Sequence, residues 1–138
     1  MKEPFVADSS IALSWVIPTQ KSALADGLLQ EVGEGRRFVV PVLWGFEVAN
    51  GLIALSRRKR ISDEHCQLAI DILRRLQPVI DEDGVRMALA ETSGLAVKYG
   101  LSVYDACYLE LAARRRLVLA TRDEALHKAA KEHGVKAF

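Results

Sequence analysis

The chain has few cysteines, no long apolar run and almost no net charge, and each shortage removes a class of function. Cys66 and Cys107 are the only cysteines among 138 residues, and they form no C-x-x-C pair. His65, His127 and His133 are not spaced around them as zinc ligands, and His65 beside Cys66 on one helix would make poor ligand geometry. Such sparse usage suits buried thiols in a reducing compartment. No stretch approaches the ~18 uncharged apolar residues of a membrane span. The opening MKEPFVAD lacks the apolar core of a secretion signal. The expectation is a soluble, cytoplasmic protein with no membrane partner. Nineteen basic residues against 18 acidic ones leave +1, so overall charge argues neither for nucleic acid nor against it.

What is present supports a sizeable core. Half the residues are apolar, and the length suits a single domain over 1–138. Short apolar runs alternate with helix-like stretches. The runs are Phe5–Ala7, Phe38–Val40, Pro78–Ile80, Leu117–Ala120 and Val135–Phe138. Their continuous apolar character suits strands buried on both faces of a parallel sheet. Helices are expected around Ile11–Val16 and over Lys21–Glu31, Leu43–Arg58, Asp63–Leu76, Gly84–Tyr99, Val103–Arg115 and Arg122–His133. Ser62 and Ser102 are caps, and Pro78 and Gly134 are stops. This alternation predicts an α/β protein, a three-layer α/β/α sandwich with a central parallel sheet.

Four acids stand out because they interrupt apolar or helix-starting segments: Asp8, Glu47, Asp105 and Asp123. Each has an ordinary explanation. Asp8 closes the first strand and would cap the next helix. Asp105 lies in Ser102-Val-Tyr-Asp105, a capping-box pattern. Thr121-Arg-Asp-Glu124 is another, with Asp123 in the first turn. Glu47 is harder to explain away. In Leu43–Leu55 only Glu47 and Asn50 carry polar side chains, three residues apart on one face. Gly51 leaves space beside that carboxylate. Buried charge must be paired, hydrogen-bonded, metal-bound or protonated. In a parallel sheet, Asp8 and Asp123 leave strands at one rim, where the helices bearing Asp105 and Glu47 also begin. Gathered there, four carboxylates would repel one another, and Mg²⁺ or Mn²⁺ would relieve that.

The segments VADSSIALSW, VPVLWGFEVANGL, LSVYDACYLELA and LVLATRDEAL resemble, in order and spacing, the PIN-domain nucleases, specifically the VapC-type toxins of type II toxin–antitoxin systems. The resemblance covers almost the whole chain. It implies a five-stranded sheet in the order 3-2-1-4-5 and a metal-dependent endoribonuclease that leaves 5′-phosphate and 3′-hydroxyl ends. Its acids would be Asp8, Glu47, Asp105 and Asp123, with Asp8 and Asp105 as direct Mg²⁺ or Mn²⁺ ligands. Glu47 and Asp123 would act directly or through water. Ser9 or Ser10, with Thr121, would supply hydroxyls near the metal, and Asn50 would lie beside Glu47. The resemblance also implies RNA as substrate, a homodimer, and a cognate antitoxin forming a hetero-oligomer with the toxin. An antitoxin groove would draw on Trp15, Trp44 and the apolar length of Leu43–Leu55, although core packing explains the tryptophans as well.

Other charges have simpler readings. Arg57–Arg60 and Arg114–Arg116 close helices, where cations suit the dipole, and a share of them could contact RNA phosphates. Asp81–Asp83 reads as an exposed turn with Asp83 as a cap. Two rivals compete with the nuclease. One is a receiver-like phosphoacceptor domain using Asp81 after the third strand. The other is a catalytically silent PIN-like binding module. A dehalogenase-type phosphatase would want D-x-D after the first strand, where Ser10 stands instead.

Overall fold

A computed structural model describes residues 2–138. Its central sheet is parallel throughout. β1 (Phe5–Ala7) pairs with β2 (Phe38–Pro41) on one side and β4 (Val118–Ala120) on the other, and β3 (Val79–Asp81) pairs with the outer edge of β2. The order is β3-β2-β1-β4. The two central strands, FVA and FVVP, are buried at every residue, which is why they read as unbroken apolar runs. The edge strands β3 and β4 are partly open.

The expected fifth strand shrinks to a single step. Only Ala137 bridges to Leu119, in parallel, with Leu119 N donating to Lys136 O and Phe138 N to Leu119 O. β4 spans three residues, so its outer edge offers room for one such pair. The position is still the one that follows 3-2-1-4.

Helices cover the sheet in two sets. α1 (Ser9–Val16) packs against α2 (Ala23–Gly33), α3 (Leu43–Arg57) and α4 (Asp63–Arg75). On the other side α6 (Val103–Arg115) lies across β1, β2 and β4, flanked by α5 (Ser93–Tyr99) and α7 (Glu124–Glu132). Ser22, Ser62 and Ser102 each accept a backbone N–H as N-caps, an interaction worth about 1 kcal/mol.

Both tryptophans belong to the core. Phe38 lies edge-on to Trp15 at 5.2 Å and to Trp44 at 6.0 Å, and stacks on Phe5 at 6.2 Å. Trp15 Nε1 is spent on Ala25 O. Trp44 is buried and Trp15 partly so, and core packing against Phe38 accounts for both rings.

The expected helix Gly84–Tyr99 is broken. Residues 83–87 form a 3₁₀ turn and 88–92 a π turn before α5 begins at Ser93. The cause is a tether. Gly84 N donates to Asp81 Oδ2 at 2.9 Å, and a Cβ at Gly84 would stand 3.0 Å from that oxygen. The chain is therefore pinned to the sheet where a helix would otherwise start.

Of Asp81–Asp83, expected as an exposed turn, Glu82 and Asp83 are exposed but Asp81 is not. Asp81 closes β3 and is 1% exposed, held by Arg114 and Arg115 from the end of α6. Arg114 also bridges to buried Glu110. These arginines tie α6 to the sheet edge; they do more than complement a helix dipole. Asp83 precedes no α-helix and pairs loosely with Arg86.

Candidate active site

Asp8 is 4% exposed at the end of β1 and serves as N-cap of α1. Its Oδ1 accepts from Ser10 Oγ at 2.5 Å and from Ile11 N at 3.2 Å. Its Oδ2 accepts from the Thr121 hydroxyl. An ionised carboxylate has about four acceptor positions. Three are in use, so one remains on Oδ2.

The donors are themselves fixed. Ser10 Oγ accepts from Arg122 N, and Thr121 Oγ1 accepts from Asp123 N at 3.0 Å. Asp123 then caps α7, taking Leu126 N at 2.9 Å on Oδ1. It is the N-cap itself, and not a first-turn acid of a helix starting at Arg122, because the Thr121 bond bends the chain just before it. Asp8 N also donates to Ala120 O. The adjacency of β1 and β4 thus brings residues 8, 10, 121, 122 and 123 together.

Glu47 and Asp105 come from helices. Glu47 projects from the second turn of α3, and its Oε1 accepts from the Tyr108 hydroxyl at 2.5 Å. Asp105 opens α6, where its backbone N–H is capped by Ser102 Oγ and its half-buried carboxylate is a separate matter. Asp105 and Tyr108 are three residues apart and share a helix face. That spacing is the one sequence signal that could have placed Tyr108 in the site, where it reads at first as core.

Charge links the four acids. Burial raises the Asp8 carboxyl above its ordinary value, and Asp105 adds to this, against the Ser10 and Thr121 hydrogen bonds. Burial also raises Glu47, with Asp105 and Asp8 adding their charge against the Tyr108 bond. Asp105 is raised by burial and by Asp123, while the Ser102 hydroxyl works the other way. Asp105 is therefore the acid that feels or influences all the others. The Cys107 thiol next to it is pushed up to about 11 by burial and by Glu110 and Glu47, so it stays protonated.

Two residues expected near the site make no hydrogen bond to it: Ser9 is half-buried in the first turn of α1, and Asn50 is exposed on α3.

Among the described residues, no three His, Cys, Asp or Glu side chains form a ready-made metal cage. The donors nonetheless fit a hard divalent ion. Mg²⁺ commonly takes one or two carboxylates and keeps several waters. The last position on Asp8 Oδ2, together with the Asp105 carboxylate, would meet that demand. Glu47 Oε2 and Asp123 Oδ2 take no hydrogen bond from the described residues.

Beside this rim runs an apolar cleft of about 240 Å³. Pro41, Val42, Phe46, Val85 and Leu111 line it, with Cys107 on the wall nearest Glu47. Phe46, next to Glu47 in sequence, is 75% exposed.

Comparison with known proteins agrees with this architecture. A family model described as PIN domain matches residues 5–132, and the chain belongs to that family. A curated relative, "Ribonuclease VapC3" of Pyrobaculum aerophilum, is 26% identical over 121 residues, covering 88% of this chain and 90% of that protein. Among solved structures, PAE2754 from Pyrobaculum aerophilum superposes with a TM-score of 0.73 at 23% identity, covering 98% of this chain and 89% of that one. VapBC2 from Rickettsia felis, solved bound to a DNA fragment from its promoter, gives 0.68 at 15% identity over 98% and 97%. FitAcB from Neisseria gonorrhoeae gives 0.66 at 16% identity over 97% and 96%. No helix among the described residues is long and apolar enough to cross a membrane.

Proposed function

We propose that the chain, acting as one PIN domain over residues 1–138, is a metal-dependent endoribonuclease toxin restrained by a cognate antitoxin in the cytoplasm. The observation that carries this is the charge coupling of Asp8, Glu47, Asp105 and Asp123 at the carboxyl rim of a PIN-type sheet. The ribonuclease name of the curated relative supports the choice of RNA. The two-component VapBC2 structure supports a protein partner.

Bound Mg²⁺ or Mn²⁺ would supply charge for a phosphate oxygen and for acidifying a water. The chain's own residues do the rest. Asp8 and Asp105 would hold the ion. Ser10 and Thr121 fix the Asp8 carboxylate so that one lone pair points outward. Tyr108 holds one oxygen of Glu47 and leaves the other to orient the attacking water. Asp123, anchored by its cap to α7, would hold a further water through its other oxygen. Attack of that water on phosphorus in line with the P–O3′ bond would break that bond, with one water proton ending on the departing 3′ oxygen, and so would give 5′-phosphate and 3′-hydroxyl ends. The apolar cleft beside Phe46 suits the apolar side chains of an antitoxin segment lying across the rim, and a toxin homodimer within a hetero-oligomer completes the proposed assembly.

The receiver reading loses its phosphoacceptor. Both Asp81 oxygens are taken, Oδ1 by Arg114 and Arg115 and Oδ2 by Arg114 and Gly84 N. A silent binding module would have no need of four mutually repelling acids. The test is cleavage of RNA by purified protein with Mn²⁺, its abolition by a chelator, and its loss in a folded Asp8→Asn variant. Cleavage that persists in that variant would overturn the reading.

A further inference from the structure

One face of α3 leads away from the acids. At about 100° per residue, positions 47, 50, 54 and 58 line up along one side of a helix. They are Glu47, Asn50, Ala54 and Arg58, each partly or fully exposed. The residues between the two charged ends are a polar amide and a methyl group, so the face is an open, shallow strip. Arg58 lies eleven residues beyond Glu47, or ~16 Å at 1.5 Å per residue.

The far end is strongly basic. Arg57, Arg58, Lys59 and Arg60 are all exposed, and none has an acid within ion-pair distance among the described residues. Elsewhere Arg36, Arg74, Arg86, Arg114 and Arg115 each hold a carboxylate, whereas this turn gathers four consecutive cations with none. The nearest acid in sequence, Asp63, takes the Ser56 hydroxyl instead. A helix-end role accounts for Arg57 in the last turn, but Lys59 and Arg60 lie past the helix. The turn that carries them is ordered. Lys59 adopts a left-handed φ of 57°, and its N–H and that of Arg60 bond back to Ser56 O and Leu55 O. Four unpaired cations on a hydrogen-bonded turn form a concentrated positive patch whose backbone is already fixed and whose binding to an anion breaks no ion pair.

We propose that this face of α3, from Glu47 to the Arg57–Arg60 turn, is the track for the single-stranded RNA that flanks the cut phosphate. The proposal rests on the ribonuclease reading, since it takes Glu47 as the catalytic end. Its span matches roughly three to five nucleotides, given ~3.4 Å per stacked position and more when extended. Phosphates recognised this way carry no sequence information. The track therefore sets register and affinity, and the choice of sequence falls elsewhere.

The experiment compares Asp8→Asn protein with the same protein also carrying R57Q, R58Q, K59Q and R60Q. Both are titrated with a fluorescent single-stranded oligoribonucleotide at several salt concentrations. Binding should weaken at least tenfold at low salt. The slope of log affinity against log salt should flatten by about 0.7 for each phosphate that the protein no longer neutralises. In the cleavage-competent background the quadruple substitution should raise KM and leave kcat within about twofold. Unchanged affinity and slope would overturn the track. So would normal RNA binding coupled to loss of an acidic protein partner, which would make the patch a protein site. RNA binding that depends on these cations in a protein that cuts nothing would sink the nuclease reading, and with it the placing of a cut phosphate at Glu47, and would leave the turn as an RNA-binding site. Cleavage unaffected by the quadruple substitution would do the reverse.

Discussion

Tyr108 donates its phenolic hydrogen to Glu47 Oε1 at 2.5 Å, joining α6 to α3 across the mouth of the site. The bond favours the charged form of Glu47 and offsets part of what burial and two neighbouring acids do to it. Burial and Glu47 together push the Tyr108 phenol far above its ordinary value, so it stays a donor. Removing the hydroxyl in Tyr108→Phe would raise the Glu47 carboxyl further. The acidic limb of the rate–pH profile should then move to higher pH, with a modest loss at its plateau. An unmoved limb would mean that Glu47 does not titrate in the reaction.

Asp105 tests the crowding of the acids. Its folded-state carboxyl is raised, so the folded protein binds more protons than the unfolded chain just above the ordinary value of 3.8. Stability from this group therefore falls as pH rises through that window, and the deficit persists at neutral pH. Asp105→Asn removes the deficit and keeps the bond from the residue-105 backbone N–H to Ser102 Oγ, giving up only the Ser102 hydroxyl's smaller contact with the carboxylate. Without metal, Tm should stay level or rise, and Mn²⁺ should no longer raise it. A clear fall in metal-free Tm would contradict the mutual repulsion.

The Asp81 cluster behaves oppositely. Burial pushes Asp81 up, but hydrogen bonds and charge from Arg114, with Gly84 N and Arg115, outweigh burial and hold it below 3.8. Its contribution is present above the unfolded value and is lost as pH falls through the lower folded one. Arg114→Ala leaves buried Glu110 without its ion-pair partner and leaves buried Asp81 with Arg115 and Gly84 N alone. Breaking such a pair costs about 3–5 kcal/mol, and the low end applies because Arg114 is itself 23% exposed. Urea unfolding at neutral pH measures this, and a change below about 1 kcal/mol, the ordinary worth of a surface pair, would show that the cluster holds nothing together.

The sequence made the sheet legible because its inner strands are buried on both faces and leave no polar residue to confuse them. The acids were legible for the opposite reason: Glu47 breaks the apolar run of α3, and Asp8 closes β1. What stayed hidden depended on partners far apart in sequence. Asp81 resembles a turn acid until Arg114, 33 residues on, is seen to hold it. Tyr108 resembles core until Glu47, 61 residues back, takes its hydroxyl. The break in residues 83–92 follows from one side-chain bond to Gly84, which no periodicity reports. Trp15 and Trp44 were ambiguous because an aromatic ring suits a core and a groove equally, and only the position of Phe38 decides.

Thr121 connects two acids through one hydroxyl, donating to Asp8 and accepting from Asp123 N. Thr121→Val keeps the shape and loses both bonds. Such outer partners of metal-binding carboxylates are worth about ten- to hundredfold in metal affinity. Stability should drop by about 1–3 kcal/mol, since a buried acceptor and a backbone donor are left short. Thr121→Ser should restore most of the Mn²⁺ affinity, measured by calorimetry. Equal affinity in the valine and serine variants would remove Thr121 from the site.

One cation shared by acids from four separate segments is the centre of the mechanism proposed above. Crystals of the protein grown with Mn²⁺ allow an anomalous difference map to locate that ion directly. The expected result is a single dominant peak bordered by Asp8 and Asp105, with Glu47 and Asp123 within one water of it. A map with no peak among these carboxylates, under Mn²⁺ concentrations that support cleavage, would contradict the shared cation.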